Sequence, residues 1–160
     1  MAKIKKDAEE VKREKVIQRR RLGRTGLDVT GLGLGCYQLT GEFGVAQAEA
    51  EAIFDLAFEA GINYFDTAPM YGFGESEELL GRALQRHRNR ECFISTKVGF
   101  LDRTVVRNLG EDAYQNEAAL ERVIRHSMWL MRLERLDAVL IHIPCREAWG
   151  LTGRAEQHRL

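Results

Sequence analysis

After residue 20 the pattern of apolar and polar residues changes repeatedly between extended and helical spacing. In RRLGRTGLDVT, two short strand-like pieces flank a turn with Gly23 and Gly26, an arrangement that predicts a β-hairpin. In GLGLGCYQL, apolar residues lie between glycines, which predicts a buried strand whose glycines allow close backbone approach. We therefore expect the ordered part of the chain to open with β-structure.

Three later segments have the pattern of helices. VAQAEAEAIFDLAFEAG carries an apolar stripe that includes Phe54 and Phe58, and Gly61 supplies a C-terminal stop. A second helix is predicted from Ser76, which we interpret as its N-cap, with Glu77 at its positive end. The third is NEAALERVIRHSMWLMRLERL, in which the apolar residues of one face are Leu120, Val123, Ile124, Met128 and Met131.

Short apolar runs separate these helices. INYFDTAP, CFISTKVGF and DAVLIHIP are each too short for a helix and are interpreted as strands. They lack strict polar alternation, which is typical of a sheet that is covered on both faces. Strands that alternate with helices predict an α/β fold with a parallel sheet and right-handed crossovers.

The two ends of the chain depart from this pattern. Residues 1–18 mix charges of both signs and hold few apolar residues, so they are interpreted as a charged tail or a frayed helix. Residues 145–160 carry no apolar stripe at helical spacing and are interpreted as a divergent C-terminal tail. We therefore expect one domain over residues 19–144 between two tails.

Composition narrows the classes of partner and compartment. The chain has 24 Lys and Arg against 24 Asp and Glu, so it lacks the positive charge of a typical nucleic-acid-binding protein. No run of 18 apolar residues occurs, so no membrane span is expected. The cysteines form no CxxC pair, so we expect neither a metal site nor a disulfide framework but small buried thiols in a cytoplasmic protein. They are Cys36, Cys92 and Cys145.

Four polar residues stand at or just beyond the C-terminal ends of successive predicted strands. Asp66 follows INYF, Tyr71 comes five residues later, Lys97 follows CFIST, and His142 lies within VLIHIP. The C-terminal edge of a parallel sheet is where sites are built in α/β proteins. An ionisable residue in an apolar strand is costly unless it is paired, so we expect Asp66 and Lys97 to pair beside Tyr71.

Such a cluster has a chemical consequence. A cation beside a phenol favours the phenolate, which makes the phenol a better proton donor. Tyr71 would then protonate a developing alkoxide by general acid catalysis, and His142 would orient the substrate oxygen. The set suits the reduction of a carbonyl group by a nicotinamide cofactor.

The same residues carry a resemblance to a known family. Residues 61–84, GINYFDTAPMYGFGESEELLGRAL, resemble the signature of the aldo-keto reductases. Residues 93–99, FISTKVG, are similar to that family's lysine strand, and residues 136–142, LDAVLIH, to its fourth strand with a histidine. The opening RRLGRTGLDVTGLGLGC resembles its N-terminal hairpin and first barrel strand. The resemblance implies a (β/α)8 TIM-barrel fold, of which this chain would hold the first half: the hairpin and about four βα units.

The resemblance also implies roles for individual residues. The catalytic residues would be Tyr71 as proton donor, Lys97 and Asp66 as the pair that tunes it, and His142 as the group that positions a small-molecule carbonyl substrate. The cofactor would be NADPH, or less often NADH. Residues near its nicotinamide would be Gly35, Cys36 and Asp66, and Tyr37 would line the substrate pocket.

The length of the chain leaves its activity open. A complete barrel of this type needs about 250 residues, and the chain has 160. The change of character near residue 144 leads us to expect a fragment of a longer reductase, shortened by a frameshift. The alternatives to an active reductase are an inactive truncated fragment and a non-catalytic half-barrel that self-associates through its open sheet edges.

Overall fold

The computed structural model describes residues 17–99, 108 and 114–142, and its chain opens with an antiparallel hairpin. Strands β1 (Arg19–Arg21) and β2 (Asp28–Thr30) pair with Arg20 opposite Val29. Gly23 and Gly26 both have positive φ in the connecting turn, a conformation that glycine adopts without a steric cost. The hairpin predicted from the sequence is therefore confirmed.

Four parallel strands follow, and they alternate with helices. The sheet order is the chain order, with each strand hydrogen-bonded to the next along the chain. The strands are β3 (Leu34–Gly35), β4 (Tyr64–Asp66), β5 (Phe93–Val98) and β6 (Ala138–Ile141). Three helices are described along their whole length, α1 (Gln47–Glu59), α2 (Glu75–Arg86) and α3 (Glu117–Met131). The predicted alternation and the parallel sheet are confirmed.

The first parallel strand differs from the prediction. GLGLGCYQL does not form a buried strand, because β3 comprises two residues, of which Leu34 is half-buried and Gly35 is exposed. A side chain at Gly33 would meet the Tyr64 ring at 2.8 Å, so the chain approaches β4 too closely there for any residue but glycine. After Gly35 the chain turns into two short 3-10 helices, Tyr37–Leu39 and Gly41–Phe43.

The apolar core lies between one face of the sheet and the helices, and we call this face of the sheet the outer face. Phe65 of β4 is fully buried and stacks on Phe58 of α1 with ring centroids 4.6 Å apart. Ile94 of β5 and Met131 of α3 belong to the same cluster. This core fixes the strands whose C-terminal ends carry the polar cluster.

The start of α2 corrects a second prediction. Ser76 is not the N-cap, since the helix begins at Glu75 and the cap position is held by Gly74 at φ 97°. The Ser76 hydroxyl instead donates to the Cys36 carbonyl oxygen at 3.1 Å and lies 2.8 Å from the Thr67 hydroxyl. Glu77 is fully buried and points at the sheet rather than standing at a solvated helix end.

The third helix is half-buried along its predicted apolar stripe. Of the stripe residues only Met131 is buried, while Ala119 and Ser127 are the other buried positions of α3. The end of α3 approaches α2 closely, since a Cβ at Gly81 would lie 2.6 Å from the Leu130 carbonyl oxygen. The helix therefore buries fewer residues of the stripe than the sequence pattern predicted.

The cysteines were expected to be buried thiols, and the two that the structure describes differ in burial. Cys36 is buried, Cys92 is half-buried, and both are free thiols. Burial raises the pKa of the Cys92 thiol to about 11, which makes it unreactive at neutral pH. Cys145, the C-terminal tail and residues 1–16 of the N-terminal tail lie outside the described residues.

Candidate active site

Four polar residues that the sequence analysis singled out meet at the C-terminal edge of the sheet. Asp66 is the last residue of β4, Lys97 is the last but one of β5, and His142 directly follows β6. Tyr71 begins a 3-10 turn, Tyr71–Gly74, after β4. Because the strands are parallel, their C-terminal ends lie at one edge, as the sequence analysis expected.

Lys97 and Asp66 form a close ion pair. Lys97 Nζ lies 2.7 Å from Asp66 Oδ2 and donates to the Thr67 carbonyl oxygen at 2.9 Å. The Ser95 hydroxyl donates to Asp66 Oδ1 at 2.6 Å, so both carboxylate oxygens accept hydrogen bonds. The lysine side chain is 12% exposed and the aspartate 32%, which leaves one flank of the pair open.

The surroundings of Lys97 keep it charged. Burial favours the neutral amine and acts to lower the pKa of Lys97. Hydrogen bonds to Asp66 and Tyr71 and the negative charge of Asp66 outweigh that burial and raise the pKa above its ordinary value. An ammonium is therefore held at this position at neutral pH.

Tyr71 lies against this ammonium. Lys97 Nζ is 4.7 Å from the centroid of the Tyr71 ring, within the range of a cation–π contact. The ring of His142 approaches Tyr71 edge-on with centroids 6.0 Å apart. The Tyr37 ring lies 4.7 Å from Tyr71 on another side. The structure thus brings all four predicted residues into one cluster.

A constrained turn sets the position of Tyr71. Gly72 has φ 59°, and a Cβ there would lie 2.8 Å from Glu75 Oε2 and 3.0 Å from Thr40 Cβ. The Glu75 carboxylate accepts from the Gly41 N–H at 3.0 and 3.1 Å, which ties this turn to the loop that follows Tyr37. The turn therefore has room for glycine alone beside Tyr71.

The three predicted cofactor-binding residues have different surroundings. Gly35 is exposed and lies opposite Asp66 in the sheet register, and among the described residues no heavy atom beyond its own chain neighbours lies within 4 Å of where a Cβ would stand. Cys36 is fully buried in the apolar core, with its Sγ 3.6 Å from the Leu34 carbonyl oxygen. Burial raises the pKa of the Cys36 thiol strongly, so it is neutral. Gly35 and Asp66 lie together at the sheet edge, and the Cys36 side chain does not join them.

Sequence reasoning missed two residues that shape the cluster. Ser95 lies two positions before Lys97, so both side chains share the inner face of β5, which is the face away from the helices. That period of two was available as a signal. Glu75 offered no comparable signal, because its contact with Gly41 depends on how two distant loops meet.

Two further features concern the residues that the structure describes. Within them, no group of three or more His, Cys, Asp or Glu side chains is arranged to hold a metal ion. Within the same residues, no helix has both the length and the apolar character needed to cross a membrane.

The parallel βα units and the polar cluster at the C-terminal ends of the strands define an α/β protein of the TIM-barrel type, present here as a partial barrel. The chain belongs to the aldo-keto reductase family, since the sequence model of the Aldo/keto reductase family matches residues 31–148. Both the family and the partial barrel expected from the sequence are thereby confirmed.

Individual relatives support this assignment. The chain is 50% identical over 88 residues to pyridoxal 4-dehydrogenase of Microbacterium luteolum, a match that covers 54% of this chain and 25% of that protein. It superimposes on an aldo-keto reductase from Bacillus halodurans in its holo form with TM-score 0.64 and 28% identity, over 79% and 40% of the two chains. An aldo-keto reductase from Klebsiella pneumoniae in complex with NADPH gives TM-score 0.61 and 26% identity, over 83% and 43%. The chain thus spans less than half the length of these relatives.

Proposed function

We propose that this chain carries the catalytic residues of an NAD(P)H-dependent reductase that converts the carbonyl group of an aldehyde, ketone or sugar to an alcohol. Membership of the aldo-keto reductase family supports the reaction class. Relatives named pyridoxal 4-dehydrogenase and D-threo-aldose 1-dehydrogenase support small carbonyl compounds as substrates. A solved relative in complex with NADPH supports the cofactor.

The observation that carries the proposal is the position of Lys97 between Asp66 and Tyr71. Its Nζ lies 2.7 Å from Asp66 Oδ2 and 4.7 Å from the Tyr71 ring centroid. In the proposed mechanism Tyr71 gives its hydroxyl proton to the carbonyl oxygen. The ammonium stabilises the phenolate that remains, and Asp66 holds the ammonium in place.

His142 would orient the substrate in this scheme. Its ring meets Tyr71 edge-on, and its backbone N–H is fixed to the Val98 carbonyl oxygen at 2.8 Å at the end of β5. An imidazole N–H beside the phenol can donate a hydrogen bond to the same carbonyl oxygen that Tyr71 protonates. Tyr37, which is 41% exposed, would form a wall of the substrate site.

The edge of the sheet fits the nicotinamide end of the cofactor. Among the described residues, no neighbouring side chain or strand comes within 4 Å of where a Cβ at exposed Gly35 would stand, and Asp66 lies next to it with one flank open. When bound, a nicotinamide supplies the hydride that reduces the carbonyl carbon. Cys36 would contribute here only through the backbone beside Gly35, because its side chain is buried in the core.

The test separates cofactor binding from proton donation. Titration of the full chain with NADPH, followed by fluorescence quenching, should show binding, and turnover should be measurable with an aldehyde. Tyr71→Phe should reduce turnover by a factor of about 100 or more while NADPH affinity changes little. Retained turnover in that variant would refute the assignment of the proton donor.

Tyr37→Phe serves as the matched variant. It removes a hydroxyl from the ring that packs against Tyr71 but leaves the phenol beside Lys97 intact. We expect it to change KM for the carbonyl substrate rather than to abolish turnover. A wild-type chain that binds no NADPH at millimolar concentration and elutes as a dimer would favour the non-catalytic half-barrel instead.

A further inference from the structure

One buried carboxyl group has no part in the proposed reaction. Glu77 of α2 is fully buried, and its Oε1 accepts a hydrogen bond from the Thr96 hydroxyl at 2.6 Å. Among the described residues, neither its Oε2 nor the buried Ser127 hydroxyl of α3 makes a hydrogen bond of regular geometry, although Ser127 lies close enough to Glu77 to favour its charged form. Glu77 therefore joins α2 to β5 at a place where the helix faces α3.

The surroundings of Glu77 make its charged form costly. Burial raises the pKa of Glu77 above its ordinary value. The Thr96 and Ser127 hydroxyls and the electrostatic influence of His126 and Lys97 act in the opposite direction without cancelling it. An apolar side chain of similar size would be less costly to bury than a carboxyl group at this position. The carboxyl group is thus poorly explained by stability alone.

The residue before Glu77 makes a similar contact with the neighbouring strand. Ser76 donates to the Cys36 carbonyl oxygen at 3.1 Å. Since its one hydroxyl proton is used there, it accepts the hydrogen bond of 2.8 Å that joins it to the Thr67 hydroxyl. Ser76 and Glu77 together therefore hold the ends of β4 and β5.

Both hydroxyl groups held in this way stand next to site residues in the sequence. Thr67 follows Asp66, and Thr96 precedes Lys97. Successive residues of a strand point to opposite faces of the sheet. A hydrogen bond that fixes Thr96 on the outer face therefore also fixes the backbone position from which the Lys97 side chain projects on the inner face. The 2.7 Å contact between Lys97 and Asp66 depends on that placement.

We propose that Glu77 is a positioning residue, which holds Thr96 by a hydrogen bond and thereby places Lys97 against Asp66 and Tyr71. Its consequence for turnover rests on the proposed function. Its consequence for the Lys97–Asp66 pair does not, because that pair is a property of the folded chain. The two are tested by different measurements.

The sequence offers a specific probe of Lys97. The chain has six lysines, and five of them lie within residues 1–15, so Lys97 is the single lysine in the rest of the chain. With lysine labelled by 13C at Cε in the full chain, NMR can follow the protonation of Lys97 against pH, with Lys97→Arg to assign the signal. In the wild type, the ion pair should place the midpoint above the ordinary value for lysine.

Thr96→Val is the decisive variant, because it keeps the shape of Thr96 and removes the hydroxyl. We expect the Lys97 midpoint to fall by about half a pH unit or more as the pair with Asp66 loosens. Thr96→Ser restores the hydroxyl and should restore the wild-type midpoint. Glu78→Gln removes a carboxylate from the next, exposed position of the same helix turn and should leave the midpoint unchanged.

Each outcome decides the proposal. If Lys97 titrates in Thr96→Val with the same midpoint as in the wild type, the proposal is overturned. It is also overturned if Thr96→Val does not fold while Thr96→Ser does, since Glu77 would then serve stability and not placement. Glu77→Gln keeps an oxygen that can accept the hydrogen bond from Thr96. A large fall of the Lys97 titration midpoint in that variant would therefore also overturn a role through hydrogen bonding. Turnover by the wild type tests the proposed function separately, and where turnover occurs Thr96→Val should lower kcat more than it changes KM.

Discussion

The two faces of the parallel sheet follow different rules. On the outer face, Phe65 and Ile94 are buried at 0% and 2% exposure against the helices. On the inner face, the neighbouring residues Tyr64, Asp66 and Lys97 are half-buried and bond to one another or to Ser95. Adjacent residues of the same strands thus serve packing on one side and charge placement on the other, and substitutions on the two faces should have separable effects.

The largest effect on stability is expected on the outer face. Phe65→Ala removes a fully buried ring that stacks on Phe58 and leaves a cavity between β4 and α1. The free energy of unfolding should fall by about 3–5 kcal/mol, as measured by denaturant titration. Phe73→Ala is the control, because that ring is 84% exposed and its loss should change stability by less than about 0.5 kcal/mol. Equal losses in the two variants would contradict the assignment of the core.

The contact between the second and third helices should come next in size. Gly81→Ala would favour the helix by its propensity, but the new Cβ would lie 2.6 Å from the Leu130 carbonyl oxygen. The helices must then separate, and we expect a net loss of about 1–3 kcal/mol in the free energy of unfolding. A more stable Gly81→Ala chain would show that α2 and α3 do not approach so closely.

An inner-face substitution should affect stability less and should depend on pH. Lys97→Met leaves Asp66, whose side chain is 32% exposed, without its cation, at a cost of about 1–2 kcal/mol at pH 7. The pKa of Lys97 is raised in the folded chain, so its stabilising contribution is complete below the pKa of the unfolded chain and is lost as the pH rises through the folded value. Unfolding curves of the two chains should therefore converge above about pH 10.4. A difference that stays constant up to pH 12 would contradict the pairing.

The smallest effect is expected for a surface ion pair. Asp55 lies 2.8 Å from His87 Nε2, and its hydrogen bond with His87 and its contacts with Arg86 lower the pKa of Asp55. Its contribution is present above the ordinary pKa of Asp and is lost as the pH falls through the folded value. Asp55→Asn should cost less than about 1 kcal/mol at pH 7, since the Asp55 side chain is 40% exposed and solvent screens its contacts, and the cost should shrink in 1 M salt. A larger cost that persists in salt would show that charged contacts stabilise the outer helices as strongly as packing does.

The sequence could predict the elements and the cluster because each rests on local signals. Phe54 and Phe58 mark α1 by their spacing, and Asp66 and Lys97 are conspicuous as charges in apolar strands. Contacts between distant segments were missed. Serine is a residue type favoured at N-caps, yet Ser76 forms hydrogen bonds with Cys36 and Thr67, which lie close to it only in the folded sheet. The burial of the α3 stripe was overestimated for the same reason, because it depends on which distant segments pack against the helix.

The pairing of Lys97 with Asp66 beside Tyr71 is the central feature of the proposed active site. NMR titration of 13Cε-labelled Lys97 in the wild-type chain and in Asp66→Asn tests this most directly. We predict a midpoint above the ordinary value for lysine in the wild type, with a fall of about one pH unit in Asp66→Asn as the negative partner is lost. An ordinary midpoint in the wild type that Asp66→Asn does not change would contradict the account.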